Sequence, residues 1–111
     1  DNGEKKIMEY FNEMTASFPL IEESGFQVDS INVDIALPPD ISIALHKKKE
    51  VPRETIEKLI EENEDKKMLV IILRALLTAD SMQQKITLNK FAFTCVSVKL
   101  GIPPAVSLKY S

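Results

Sequence analysis

The chain contains one histidine, His46, and one cysteine, Cys95, so catalysis by an imidazole base or a thiolate would have to use these residues. A general base needs a suitable position and a shifted pKa, and a thiol becomes a good nucleophile beside positive charge. His46 stands at the end of an alternating apolar run, where we expect an exposed side chain. Cys95 lies in an apolar strand-like run, where a free cysteine is usually a small buried residue. We therefore predict no catalytic role for either residue.

The remaining residue types point to no other chemistry. Carboxylates such as Asp29 and Asp34 act as acid and base only in a cleft that separates their pKa values, and the sequence gives no sign of one. A structural zinc site needs several Cys or His ligands, and the chain has one of each. Its three glycines, Gly3, Gly25 and Gly101, lack the spacing of a phosphate-binding loop. We predict no metal, no cofactor and no enzymatic activity.

Composition and charge narrow the class of protein. With 111 residues, 44% apolar and 28% charged, residues 1–111 are expected to form a single domain. The net charge of −3 disfavours nucleic acid as a partner, and the lysines at 47–49 with Arg53 are expected to be solvated rather than to touch a membrane surface. The longest apolar run, residues 68–77, is too short for a transmembrane segment. A single cysteine and no signal peptide favour the cytoplasm.

An internal repeat organises the chain. Residues 31–43 recur 65 positions later as residues 96–108, with apolar residues on apolar residues and Pro38-Pro39 on Pro103-Pro104. The match extends upstream, where Phe26 corresponds to Phe91. We therefore predict two repeats, at about residues 4–46 and 69–111, joined by a helical linker at 47–68 and related by an approximate two-fold axis.

Hydrophobic periodicity predicts the elements of each repeat. Apolar residues at helical spacing predict a first helix that ends near Phe18, because Pro19 follows. After Gly25 the period becomes two, which predicts two strands with one buried face. The apolar positions change phase after Val28 and again after Phe93, so we predict a bulge or bend near Ser30 and near Cys95. The Pro-Pro connection is expected to be a wider loop that reverses the chain.

The segment from Lys66 to about Ala79 is almost wholly apolar. The repeat makes it the counterpart of the first helix, although a buried strand at 68–73 is a competing interpretation. A helix that is apolar all round is buried, either between the sheet and other helices or in a subunit contact. The prediction is an α+β fold of order α-β-β-α-β-β, with about four antiparallel strands and helices on one face. The other face would present Asn32, Asp34, Ser42, Ala44, Ser97, Lys99, Ser107 and Lys109.

Two functions fit this fold. The first is a non-catalytic protein-interaction module, either a homo-oligomer or a subunit of a larger assembly, because the apolar helix and the rigid proline loops offer contact surfaces. Its candidate contact residues are Pro38, Pro39, Pro103, Pro104, Val70, Ile71 and Leu77. The second is a carrier of a small apolar or lipid-like ligand held between helices and sheet. Its candidate residues are Met14, Phe18, Met82, Phe91 and Phe93.

Overall fold

The computed structural model describes residues 2–35, 40–101 and 103–111. It contains four helices and four strands in these ranges. In chain order they are α1 (Asn2–Ala16), α2 (Phe18–Glu23), β1 (Phe26–Asp34), β2 (Asp40–Lys47), α3 (Arg53–Glu62), α4 (Lys67–Lys85), β3 (Phe93–Lys99) and β4 (Ala105–Tyr110). The predicted α+β class is confirmed, and residues 68–73 are helical rather than extended.

The four strands form one antiparallel sheet in the order β1-β2-β3-β4. Strands β1 and β2 form one hairpin and β3 and β4 form the other, while α3 and α4 connect β2 to β3. The chain therefore reverses between β1 and β2 as predicted, although Pro38 and Pro39 themselves lie outside the described residues. Consequently β2 and β3 occupy the centre of the sheet, and β1 and β4 form its edges.

Both predicted bulges are present. The pairing register shifts between Val28 and Ser30 in β1, and between Phe93 and Cys95 in β3. A bulge adds one residue to one strand and thereby moves the following side chains to the other face, which explains the phase change of the apolar positions.

The two hairpins also share their register. Val33 pairs with Ile41 in the first hairpin, and Val98 pairs with Val106 in the second, each residue being 65 positions further along. We call two residues equivalent when they are separated by this interval. The repeat boundaries and the approximate two-fold axis stay predictions.

The first helix ends near the predicted place but is followed by a second short helix. Ser17 interrupts the helical run, and its hydroxyl donates a hydrogen bond to the Glu13 carbonyl oxygen at 2.8 Å. Pro19 falls in the first turn of α2, where a missing amide proton removes no helical hydrogen bond. Pro19 therefore correctly indicated that α1 ends nearby, but helical structure continues in α2.

Helix α4 lies between the sheet and the other helices, contacting α1, α3, β3 and β4. Seven of its side chains are buried, which makes it the largest helical contribution to the core. Those residues are Met68, Leu69, Ile72, Leu73, Ala75, Leu76 and Ala79. The first of the two predicted locations for this apolar helix is thus the one observed.

The inner face of the sheet completes the core. Alternate residues of the central strands are buried there, namely Ile41, Ile43 and Leu45 in β2 and Val96 and Val98 in β3. The opposite, outer face carries the polar set predicted from the alternation, since Asn32 pairs with Ser42 and Ser42 with Lys99. No helix within the described ranges is long and apolar enough to cross a membrane.

Candidate interaction surface

The edge strand β4 is much less covered than its equivalent, β2. Val106, Leu108 and Tyr110 point to the inner face, yet each is only partly buried. Their equivalents Ile41, Ile43 and Leu45 are at most 4% exposed. The same pattern of apolar residues is therefore enclosed in the first hairpin and left partly open in the second.

An apolar groove of about 410 Å³ lies along this uncovered part of β4. Its walls come from the C-terminal half of α4, the segment that follows α4, and the inner side of β4. The lining residues are Thr78, Ala79, Met82, Ile86, Leu88, Val106, Leu108 and Tyr110. Met82 and Leu88 are 44% and 46% exposed, so the groove opens to solvent.

One wall of the groove differs from the equivalent place in the first repeat. Ile21 of α2 is fully buried, and α2 packs against β1. The equivalent residue Ile86 follows the end of α4 in a segment without helix or strand, and it is only partly buried. Because the second repeat has no counterpart of α2 at this place, Ile86 remains partly uncovered and lines the groove.

Tyr110 contributes a polar group to the groove lining. Its ring packs against Phe93 with the ring centroids 5.8 Å apart and the planes tilted by 50°. Its hydroxyl is buried and has no hydrogen-bond partner among the described residues. A buried polar group without a partner carries a desolvation penalty, so an occupant that offered an acceptor here would be stabilised.

The opposite edge of the sheet also exposes apolar side chains. Val33, near the end of β1, is 38% exposed, and Ile35 directly after β1 is 86% exposed. The equivalent residue of Val33 is Val98, which is fully buried. Leu100, the equivalent of Ile35, packs against the core. Each edge strand of the sheet therefore exposes apolar side chains whose equivalents on the central strands are buried or packed against the core.

The residues predicted for protein contact lie on several elements. Pro103 and Pro104 are exposed just before β4, whereas Pro38 and Pro39 lie outside the described residues. Val70, Ile71 and Leu77 are half-buried on α4, and Leu77 packs against the core. None of the described members of this set lines the groove.

The residues predicted for an apolar ligand are also dispersed. Met82 lines the groove, and Phe93 reaches it through its contact with Tyr110. Met14 is fully buried in the core, and Phe18 packs against the core from α2. Phe91 is 58% exposed in the turn before β3. The groove residues of β4 were missed because their alternation predicts a buried face and says nothing about what covers it.

The sole histidine and the sole cysteine lie close together in the fold. His46 Nδ1 is 2.6 Å from Asp29 Oδ1 on the outer face. His46 follows Leu45 and Cys95 precedes Val96, and Leu45 pairs with Val96. Cys95, His46 and Asp29 thus follow one another on neighbouring strands in the order of a nucleophile, a base and an orienting carboxylate. However, the Cys95 thiol contacts the Val96 carbonyl oxygen at 3.6 Å, and no hydrogen bond joins it to His46 in the described structure.

A polar cleft of about 420 Å³ lies elsewhere on the outer face, beside Asp34, Asp40 and Lys99. The Lys99 ammonium is 2.9 Å from Asp40 Oδ2. The hydrogen bond to Asp40 raises the pKa of Lys99, and the charges of Asp40 and Asp34 add to this effect. Among the described residues no group of three or more His, Cys, Asp and Glu side chains is arranged to hold a metal ion. The ion pair thus places an ammonium beside one of the two carboxylates, Asp40.

Comparisons with known proteins add no assignment. No protein-family model, curated protein or solved structure matches this chain.

Proposed function

We propose that this chain is a non-catalytic protein-interaction module that binds a partner along β4 and its apolar groove. The partner would be another copy of the chain or a subunit of a larger assembly. The observation that carries the proposal is an apolar groove of about 410 Å³ beside β4. This edge strand pairs with β3 on one side and has no neighbour on the other side among the described strands. An extended segment added to β4 would pair with its free backbone groups and cover the groove with alternate side chains.

The exposure of the groove supports this proposal energetically. Contiguous apolar surface exposed to water is unfavourable, and a partner that binds over it removes it from contact with water. Met82 and Leu88 line the groove, and both are more than two-fifths exposed. Their burial by a partner would stabilise a complex at little expense to the fold, because neither side chain belongs to the core.

Selection from a phage-displayed library of random linear peptides would test the proposal. We expect enriched peptides to bind the chain and to lose about tenfold or more in affinity for Met82→Asp and Leu88→Asp, since each carboxylate would be desolvated by the peptide. Ser97→Asp is the matched control, because it adds the same charge on the outer face of β3, away from the groove. Equal affinity for all variants, or no enriched peptide, would contradict the proposal.

A second candidate function is the binding of a small apolar ligand with a polar end. The buried Tyr110 hydroxyl without a described partner favours it, since a ligand carboxylate or carbonyl could accept that hydrogen bond. The groove volume also falls within the usual range for ligand sites. Titration with a fluorescent fatty acid and native mass spectrometry would test this candidate. No binding of the fatty acid and no co-purified ligand would count against it.

A further inference from the structure

We infer that the partner at β4 is a second copy of this chain, which adds its β1 edge to β4 in a head-to-tail contact. This inference rests on the proposed function of the β4 groove and names its occupant.

The junction between β2 and β3 serves as the template. These strands belong to different hairpins, and they pair with Ser42 opposite Lys99 and Leu45 opposite Val96. Strand β4 is equivalent to β2, and β1 is equivalent to β3, with the same register and the same bulge in each hairpin. A second copy can therefore repeat the β2–β3 junction by placing its β1 beside β4.

The template fixes a register for the contact. Residues on β4 of one copy then lie opposite residues on β1 of the next. The expected pairs are Ser107 with Asp34, Leu108 with Val33, Lys109 with Asn32, and Tyr110 with Ile31. Within the chain, the Leu100 amide donates a hydrogen bond to the Ile41 carbonyl oxygen at 2.8 Å. The corresponding bond would run from the Ile35 amide of the second copy to the Val106 carbonyl oxygen.

The apolar surfaces at the two edges are complementary in this register. Val33 would lie beside Leu108, which lines the groove. Ile35, 86% exposed in one copy, would take the place that Leu100 has against the core. The contact would thus cover exposed apolar groups on both copies, and it would do so with side chains whose equivalents are already packed together within the chain.

Charge favours a head-to-tail contact between β4 and β1 over a symmetric β1–β1 or β4–β4 contact. On the outer face of the sheet, β1 carries Asp29 and Asp34, and β4 carries Lys109. Lys109 would lie diagonally across from Asp34, a separation that a long side chain spans. A β1–β1 contact would instead bring carboxylates together, and a β4–β4 contact would bring two lysines together.

The first helix supplies a consistent second contact. Met8 of α1 is 56% exposed, whereas its equivalent Leu73 on α4 is fully buried. If the second copy follows the template, its α1 approaches α4 of the first copy as α4 approaches α1 within the chain. The exposed Met8 side chain of the second copy would then be covered by α4 of the first copy. Because the two surfaces are different, the contact does not close on itself in a pair, and copies should form rings or growing chains.

Cysteine pairing can test the register directly. One preparation would carry Asn32→Cys and the other Lys109→Cys, both in a Cys95→Ser background because Cys95 pairs with Lys109 within the chain. Asn32 and Lys109 are exposed, so neither substitution removes a core contact. With an affinity tag on one preparation, we expect oxidation of the mixture to give a disulfide-linked mixed dimer. Neither preparation alone should give a linked dimer, and Ser97→Cys mixed with Asn32→Cys is the negative control.

Sedimentation of Ile35→Asp and Val33→Asp provides an independent readout. We expect each to weaken self-association by about tenfold or more, since an unpaired carboxylate would enter the contact. Both variants should bind the selected peptides at least as tightly as the unsubstituted chain, because their own groove is unchanged and a second copy competes for it less. Linkage of Lys109→Cys alone, linkage of Asn32→Cys alone, or a monomer at all concentrations would overturn the head-to-tail inference. Peptide binding that depends on Met82 would, in each of these cases, still support the proposed function.

Discussion

The carboxylate of Glu13 in α1 accepts a hydrogen bond from the backbone amide of Met68, 3.1 Å away at the start of α4. The first amides of a helix have no partner within the helix, and its N-terminus attracts negative charge. A side chain 55 positions away in the sequence thus performs the function of a helix cap and ties the first helix to the central one.

We predict that Glu13→Ala lowers the free energy of unfolding by about 1 kcal/mol, the usual effect of losing a cap. Glu13→Gln should lose less, because its amide oxygen can still accept the hydrogen bond although the charge is gone. Urea denaturation of the three proteins would measure the difference. Equal stability of all three would show that this bond contributes nothing.

Lys47 forms a second connection to α4, and this one depends on pH. Its ammonium lies 3.1 Å from Asp80 Oδ1 and 2.8 Å from Glu50 Oε1. Burial lowers the pKa of Lys47, but the hydrogen bonds and charges of Glu50 and Asp80 outweigh that effect and raise the pKa above the usual lysine value. The folded state therefore binds this proton more tightly than the unfolded state does.

The sign of the pH dependence follows from that shift. The contribution of Lys47 to stability is fully present below the unfolded lysine pKa of about 10.4 and is lost as pH rises through the higher folded value. We predict that Lys47→Met is less stable at neutral pH by roughly 1 kcal/mol. The difference should shrink in alkaline solution above the lysine range. Denaturant unfolding at neutral and alkaline pH would measure it, and a difference that is constant with pH would contradict the assignment.

Gly25 is required by the turn between α2 and β1. Its φ is +90°, a conformation that strains any L-residue with a side chain, and an added Cβ would collide with the Lys49 carbonyl oxygen. Gly25→Ala should therefore destabilise the fold by about 1–3 kcal/mol. Gly101→Ala is the matched control, since its nearest neighbour would be 3.6 Å from the new Cβ and φ is not in the left-handed region. Thermal unfolding that ranks the two variants in the opposite order would refute this explanation.

Tyr110→Phe should raise stability rather than lower it. The substitution removes a buried hydroxyl that has no described partner and keeps the ring that packs against Phe93. We expect a gain of up to about 1 kcal/mol, because an unpaired buried polar group is costly. Denaturant unfolding would measure it. A clear loss of stability would indicate that the hydroxyl is already hydrogen-bonded in solution.

The proximity of His46 and Cys95 gives a direct test of the proposal that the chain is non-catalytic. The Cys95 thiol has no hydrogen bond to His46 in the described structure, so the imidazole is not positioned to accept its proton. Iodoacetamide should therefore alkylate Cys95 at the same rate in the unsubstituted chain and in His46→Ala. A rate that falls by about tenfold or more in His46→Ala would indicate an activated thiolate and would favour an enzyme.

The strands and their bulges were predictable because they are encoded locally. Period-two alternation identifies which side chains share a face, and a change of phase requires an irregularity, which the structure places at Asp29 and Thr94 between the shifted pairs. Helix α4 was predictable from two signals, since its repeat counterpart favours a helix and its nearly continuous apolar residues favour burial. The break at Ser17 was less well predicted, because Pro19 is compatible with the first turn of a new helix.

The sequence by itself determined the α+β class, the two hairpins and the polar outer face, because each depends on spacing between near neighbours. Only the tertiary structure decided which strands are central, and hence that Leu45 is enclosed while its equivalent Tyr110 borders an open groove. The contacts of Glu13 with Met68 and of Lys47 with Asp80 also join distant segments. Periodicity specifies the face on which a side chain lies, whereas its burial depends on what other parts of the chain pack over that face.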